Sequence, residues 1–327
     1  MRQVLETGGA GFLGRHLVDR LLAQGVQQVN VLALPREPVP AHWDARVQVF
    51  RGDVTQPADV ARATEGCEVV FHLAALVGDG ASYADHERVT VGGTVCVFDA
   101  ARRHRARVVL TTSICAYGDA IQRGPCSEQT PPGRFQGPYS RAKQMQEQCA
   151  WAFRDAGGEV VVVRPANIIG PGCGPWVTDA CQALRQRLPA LIGGGRVRAG
   201  LVVVDNVAEF LCLAATHPQA VGRAFNLEDE LPQTWADYFS DLARLLGAPA
   251  PRSVPRWLAY AGASLTEGVW RRWRAGHRPP VTREALNLIA WNNCFPVVAA
   301  RSLGWQPRVS YAQALQAIEA DIRQRRL

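Results

Sequence analysis

Polar and apolar positions along the chain change period again and again. Short apolar runs near 3–6, 29–33, 47–50, 68–73, 107–112 and 159–164 read as buried strands. Between several of them, 3.6-residue periodicity near 12–24, 87–104 and 140–156 predicts helices. That βαβ rhythm predicts an α/β fold of the Rossmann type, a doubly wound parallel sheet with helices on both faces. After Arg164 the texture changes. Residues 165–200 are rich in Gly and Pro, with one helical stretch near 176–187. Residues 201–215 read as a strand running into a helix, and 224–227 as a returning strand. From 235 to 327 short helices are broken by Pro and Gly. The pattern predicts a first unit over 1–164, joined by returning segments near 201–228, and a smaller, interleaved C-terminal lobe made mainly of 165–327. That lobe is expected to close over the sheet's C-terminal edge, where ligands bind in such folds.

The first strand runs straight into a glycine turn and then a helix: Val4-Leu5-Glu6-Thr7-Gly8-Gly9-Ala10-Gly11-Phe12-Leu13-Gly14. The glycines fit both Gly9-x-Gly11-x-x-Gly14 and Gly8-x-x-Gly11-x-x-Gly14. Strand, glycine turn and helix form the context of a dinucleotide fingerprint: a tight turn, close backbone approach to a pyrophosphate, and free N–H groups at a helix start.

Composition narrows the class. A chain of 327 residues, 47% hydrophobic, builds a large core, and no apolar run reaches membrane-spanning length. The opening reads as a strand rather than a signal peptide. Nine cysteines, an odd number with no CxxC pair, point to reduced thiols in a cytoplasmic protein rather than disulfides or a metal site. The formal charge is +7, with basic clusters at Arg102–Arg105, Arg271–Arg274 and Arg323–Arg326. Solvated helix faces account for such clusters, and attraction of anionic ligands is a further reading. No nucleic-acid-binding module accompanies them.

The candidate chemistry lies in two later stretches. Tyr139-Ser140-Arg141-Ala142-Lys143 starts a helix, so Tyr139 and Lys143 share one face. An ammonium near a phenol favours the phenolate, and such a tyrosine exchanges protons with a substrate oxygen. Upstream, Ser113 ends a predicted buried strand on the ligand edge, where its hydroxyl can donate to a carbonyl oxygen. Thr111 and Thr112 rival Ser113, and Tyr117 is a rival tyrosine.

These motifs, in this order, resemble the extended short-chain dehydrogenase/reductase superfamily, which includes the NAD-dependent epimerase/dehydratase enzymes. The resemblance covers nearly the whole chain. It rests on Thr7–Gly14, Gly52-Asp53-Val54, Phe71-His72-Leu73-Ala74-Ala75, Ser113, Tyr139 with Lys143, and Arg164–Gly172. Val204-Asp205-Asn206-Val207-Ala208 and Leu303-Gly304-Trp305-Gln306-Pro307 complete it. It implies a nicotinamide cofactor held by Gly8, Gly11, Phe12, Leu13 and Gly14, with Asp53 and Val54 at the adenine. Leu73, Ala74, Ala75 and Pro165 would lie on the nicotinamide side. Tyr139 would be the acid/base, Ser113 its partner, and Lys143 would also hold the ribose. Family members often pair through helices like 87–104 and 140–156, which implies a homodimer. Two departures stand out. Glu6 occupies an apolar strand position, implying a partly buried carboxylate. Thr90 replaces the usual Asn, implying a weaker helix-to-sheet hydrogen bond. At the end of the second strand Ala33 stands where an acidic residue would select NAD, and Arg36 is close enough to meet a 2′-phosphate. NADP(H) is therefore the expected cofactor, with NAD(H) the alternative.

Two substrate classes follow. The stretches Val254–Tyr260, Glu267–Trp270 and Pro280–Arg283 look like the C-terminal region of 3β-hydroxysteroid-dehydrogenase-like enzymes, implying a bulky apolar alcohol or ketone beneath a greasy lid. The same helix, with Arg271, Arg272 and Arg274 beside Trp270 and Trp273, offers a peripheral membrane contact as a lesser reading. Asn167 and Arg198, in contrast, fall where sugar-nucleotide epimerases keep residues for the diphosphate, implying an epimerase, dehydratase or 4-ketoreductase. The apolar alcohol or ketone is the first reading and the sugar nucleotide the alternative. A non-catalytic cofactor-binding protein is a third.

Overall fold

The computed structural model describes residues 1–78, 80–273 and 282–327, and no side chain between 267 and 281 is described. The readings placed on Glu267–Trp270, Arg271–Arg274 and Pro280–Val281 therefore lie outside what is described of the molecule.

The chain opens with β1 (Gln3–Thr7), α1 (Phe12–Ala23), β2 (Gln28–Ala33), β3 (Val47–Arg51), α2 (Pro57–Thr64) and β4 (Val69–His72). A short α3 (Tyr83–His86) runs through a π-turn at 87–91 into α4 (Gly92–His104), followed by β5 (Arg107–Thr111), α5 (Pro138–Asp155) and β6 (Val160–Pro165). Next come β7 (Asn167–Ile169), α6 (Ala180–Arg185), β8 (Pro189–Ile192), β9 (Leu201–Val203), α7 (Val204–Thr216) and β10 (Ala224–Leu227). The chain ends with α8 (Trp235–Leu246), β11 (Arg252–Val254), α9 (Arg256–Trp273), α10 (Arg283–Ile289), α11 (Val298–Ser302) and α12 (Tyr311–Arg325).

Seven strands form one parallel sheet in the order β10-β6-β5-β4-β1-β2-β3. Central strands buried on both faces explain why the sequence shows apolar runs there rather than alternation, whereas the edge strand β3 is only partly covered. Val4 faces one core layer, with Leu17, Val31, Phe71 and Phe210; Leu5 faces the other, with Val70, Leu110, Phe98 and Phe153. Winding proceeds from β1 through β2 to β3 on one side and through β4, β5 and β6 on the other. The reversal leaves a crevice at the C-terminal ends of β1 and β4.

The expected strands are all present. The long helix over 87–104 is interrupted, because Glu87–Val91 adopts a π-turn before α4 begins. Elements too short to carry a period, namely α2, β7, β8 and β11, escape sequence patterning. β7 pairs with β9 and β8 with β11, each in parallel, under a separate core of Trp176, Trp235, Tyr238 and Phe239. Trp235 lies 4.6 Å from Trp176 and 5.4 Å from Phe239, centroid to centroid. Glu6, expected to be partly buried, is fully buried. All nine cysteines are free thiols.

Candidate active site

The crevice is walled by the turn after β1 and the segment leaving β4. Gly8 has φ +81°, and a Cβ there would meet the Ala74 nitrogen at 2.9 Å. A Cβ on Gly14 would meet the Gly8 oxygen at 2.4 Å, so turn and helix touch only because side chains are missing. Leu73 N–H donates to Thr7 O at 3.1 Å and Ala74 N–H to Thr7 Oγ1 at 3.3 Å, which draws Leu73, Ala74 and Ala75 alongside. α1 starts at Phe12 with Gly11 as N-cap, no side-chain cap and no acid in its first turn. Its positive end stays open to an anion. Phe12 packs edge-on against His16 and beside Gly170 and Gly172, while Leu13 packs on the core. This cradle fits a dinucleotide pyrophosphate.

At the far end of the crevice Ala33 is buried. The turn after it is tied by Glu37, which accepts from Leu34 N–H at 3.1 Å, and by Arg51, which donates to Leu34 O and Glu37 O at 3.1 and 2.6 Å. Arg36 is exposed and has no ion pair among the described residues. Asp53 accepts from Thr55 N–H at 2.9 Å, its own N–H donates to Asp59 at 3.0 Å, and Val54 packs at Gly93.

The proton-transfer candidates converge from separate elements. Tyr139 and Lys143 are on α5, with Lys143 Nζ 5.5 Å from the centre of the Tyr139 ring. Ser113, just past β5, places its hydroxyl in hydrogen-bonding reach of the Tyr139 phenol and accepts from Cys115 N–H at 3.1 Å. Burial, with the Cys115 thiol next and the Glu284 carboxylate last, pushes the phenol above its ordinary range, while Ser113 pulls it down. Lys143 Nζ donates to Thr111 O at 3.2 Å and Gln146 Oε1 at 2.9 Å. Burial lowers the Lys143 pKa to about 8, against the raising influence of Cys115 and Glu147.

Behind Lys143 runs a hydrogen-bond chain that periodicity does not announce. Gln146 Nε2 donates to Thr94 Oγ1 at 2.7 Å, and Thr94 donates to Thr90 O at 2.7 Å. His72 links Thr94 at 2.9 Å to Thr7 at 2.7 Å. Thr94 gives its single hydroxyl hydrogen to Thr90 O, so it accepts from His72 Nε2–H, and Nδ1 then accepts from the Thr7 hydroxyl. Burial, then Lys143, lowers the His72 pKa to about 3, so the ring is neutral. The chain connects the glycine turn to the lysine. Thr90, at the position where the resemblance has Asn, accepts from Leu76 N–H at 3.1 Å and so ties the π-turn to the segment leaving β4.

Two of the rivals, Tyr117 and Thr112, are engaged elsewhere. Tyr117 OH donates to Asn226 Oδ1 at 2.7 Å or Ser127 O at 2.8 Å, and receives Arg164 at 2.9 Å. Burial raises its pKa to about 12. Thr112 donates to Glu147, which also takes two bonds from Arg164, at 2.8 and 2.6 Å, in a buried pair. Thr111 contributes its carbonyl to Lys143, and its hydroxyl has no partner among the described residues. Pro165 ends β6, paired to Leu227. Of the two diphosphate candidates, Asn167 donates to Ala199 O at 2.6 Å, and Arg198 donates to Glu228 at 2.7 Å and Leu231 O at 3.3 Å. Neither side chain is left to itself. No group of His, Cys, Asp and Glu able to hold a metal occurs among the described residues. Nor is any helix among them long and apolar enough to cross a membrane.

Comparison with known proteins follows the same lines. The chain is 32% identical over 330 residues to a 2-alkyl-3-oxoalkanoate reductase of Stenotrophomonas maltophilia, covering 97% of this chain and 98% of the relative. It is 30% identical over 342 residues to a 3 beta-hydroxysteroid dehydrogenase/Delta 5-->4-isomerase of Mycobacterium tuberculosis, covering 96% and 88%. Among solved structures it superposes on MoeE5 in complex with UDP-glucose and NAD with a TM-score of 0.77, at 25% identity over 99% of this chain and 100% of that one. A family model matches residues 4–227, and the chain belongs to the NAD dependent epimerase/dehydratase family.

Proposed function

We propose that the chain moves hydride between a nicotinamide cofactor and a ketone or secondary alcohol of a bulky, mainly apolar molecule. The observation that carries this is the convergence of Tyr139, Ser113 and Lys143 beside the glycine cradle. A bound nicotinamide supplies or takes up the hydride. Ser113 donates to the substrate oxygen and fixes its place. Tyr139 gives that oxygen a proton in reduction and recovers it in oxidation. Lys143, a cation at neutral pH and anchored by Thr111 and Gln146, holds the ribose and offsets charge developing on the phenol. Residues 1–164, with the segments returning at 201–228, serve the cofactor, and 165–327 mainly the substrate.

Two curated relatives named for an alkyl oxoalkanoate and a steroid support an apolar substrate. The internal partners of Asn167 and Arg198 weaken the sugar-nucleotide alternative. For the cofactor, Arg36 without an ion pair, and Glu37 turned onto Leu34 N–H, support NADP(H) over NAD(H). Nine free thiols suit a reducing, cytoplasmic setting. A homodimer through α4 and α5 is inferred from the family resemblance and from Val95, 44% exposed on α4; light scattering of the purified chain tests it.

The direct test is turnover of Tyr139→Phe with an alkyl-ketone panel. Turnover is expected to fall about 10²–10⁴-fold with NADPH affinity retained. Unchanged turnover removes Tyr139 from the chemistry.

A further inference from the structure

The helix bearing Tyr139 has no cap of its own. Its N-cap, Gly137, is extended and has no side chain with which to accept. Ser140 turns its hydroxyl back on the chain, accepting from Gln136 N–H at 2.9 Å and Gly137 N–H at 3.1 Å. The first-turn donors that remain are the N–H groups of Tyr139 and Ser140. Both are taken by a carboxylate from the far end of the sequence: Glu284 Oε2 accepts from Tyr139 at 3.2 Å and Oε1 from Ser140 at 2.5 Å.

Glu284 is the second residue of α10 and is buried. A Cβ on Gly137 would lie 2.4 Å from Glu284 Oε2, so the missing side chain makes room for the visiting carboxylate. α10 makes a second tie one turn on. Asn287 donates to Gly118 O at 2.8 Å and accepts from Gln122 at 2.9 Å, both on the segment that follows Ser113. One short helix from the end of the chain thus grips both elements that carry the proton-transfer candidates.

We propose that Glu284 is a positioning residue for proton transfer: its carboxylate caps the helix that carries Tyr139 and sets both the aim of the phenol and the pH at which it ionises. This rests on the reading of Tyr139 as acid/base. A negative charge at a helix start strengthens the first turn, where Tyr139 sits. The same charge opposes phenolate formation, against Lys143 5.5 Å from the ring. Among the described residues the other titratable groups at the phenol are the Cys115 thiol and His86, whose ring is 6.0 Å away, centroid to centroid. Glu284 and Lys143 therefore bracket the acidity of Tyr139 from opposite sides.

The test compares Glu284→Gln, Glu284→Ala, Gly137→Ala and the double variant Gly137→Ala/Glu284→Ala, with Tyr139→Phe as control. In Glu284→Gln, kcat for ketone reduction is expected to fall about tenfold, with the KM for NADPH within about twofold. Reduction needs both the protonated phenol and the Lys143 cation, and a nearby negative charge favours both, so losing it should move the alkaline limb of kcat down by about half a pH unit. In the cofactor-free protein, Gly137→Ala and Glu284→Ala should each lower the Tm, and the double variant should lie no lower than the worse single one, because both remove the same contact. An alkaline limb at its wild-type position in Glu284→Gln, or additive losses of Tm, overturns the proposal. Should Glu284→Ala not fold, Glu284→Gln and Gly137→Ala carry the comparison. Turnover retained in Tyr139→Phe overturns the reading of the phenol itself; turnover lost there with an unmoved limb in Glu284→Gln overturns only the role of Glu284.

Discussion

Glu6 gives the sharpest stability prediction. It sits mid-sheet, in register with Val31 on β2 and Phe71 on β4, fully buried, and neither carboxyl oxygen has a hydrogen-bond partner among the described residues. Burial, with a smaller push from Asp19, holds its pKa well above the ordinary carboxylate range. The folded carboxyl therefore stays protonated after the unfolded one has ionised, at about pH 4.3. For an acid whose folded pKa is raised, stability is lost as pH climbs from the unfolded value toward the folded one. Between those two values the slope approaches about 1.4 kcal/mol per pH unit. Glu6→Gln keeps the shape and removes the proton, so it should abolish this share of the slope. Glu6→Val also removes an unsatisfied polar group worth about 1–3 kcal/mol, less roughly 1 kcal/mol for the smaller volume. The assay is equilibrium urea unfolding of cofactor-free protein at several pH values from 4.5 to 6.5. Glu228 and Asp229, both raised to about 7 by burial, add slopes of the same sign, and these cancel in the difference between wild type and Glu6→Gln. Parallel stability–pH curves for the two proteins would refute the reasoning, since they would mean that Glu6 is ionised and compensated in the fold.

Arg36→Ala should weaken NADPH binding about tenfold while leaving NADH within about twofold; tighter NADH than NADPH in both proteins would sink the assignment. Gln146→Leu removes one acceptor from Lys143 and one donor from Thr94, so the Tm should fall and the ketone kcat should drop more than the apparent NADPH affinity; an unchanged kcat would make that hydrogen-bond chain merely structural. Glu147→Gln breaks a buried pair with Arg164 and should cost about 3–5 kcal/mol in unfolding free energy, far more than the same change at the exposed Asp44 partner of Arg46.

The sheet was legible because it is parallel and its central strands are buried: those strands announce themselves as apolar runs, and Gly8, Gly11 and Gly14 mark the turn that ends the first of them. Tyr139, Lys143 and Ser113 could be singled out as candidates because one helix turn and one strand end confine them. What escaped were partners set by tertiary contact. Nothing local to Gln146 says that its amide reaches Lys143 and Thr94 together. Glu284 lies 145 residues beyond Tyr139, and its only early sign is a glycine at the helix start, which a Gly-Pro pair also explains as a turn. The π-turn at 87–91 was hidden because its residues keep nearly helical spacing. Arg198 shows the opposite error in kind: the residue was found, but its carboxylate partner, contributed by the end of β10, was not.

That partner bears on substrate. Glu228 is 2% exposed at its side chain, accepts from Arg198 at 2.7 Å and from Phe295 N–H at 2.8 Å, and so ties the Arg198 loop to the segment entering α11. For Arg198 to turn onto a diphosphate it must first leave Glu228, forfeiting a hydrogen bond between charged groups worth about 1.5–3 kcal/mol and leaving a buried carboxyl with one donor fewer. That is a handicap of roughly ten- to a hundredfold in affinity, imposed on anionic substrates alone. An apolar ketone asks nothing of Arg198 and meets no such handicap. Arg198→Ala should therefore leave the KM of an alkyl ketone near its wild-type value while lowering the Tm. A large rise in KM would return Arg198 to the substrate site and revive the sugar-nucleotide alternative.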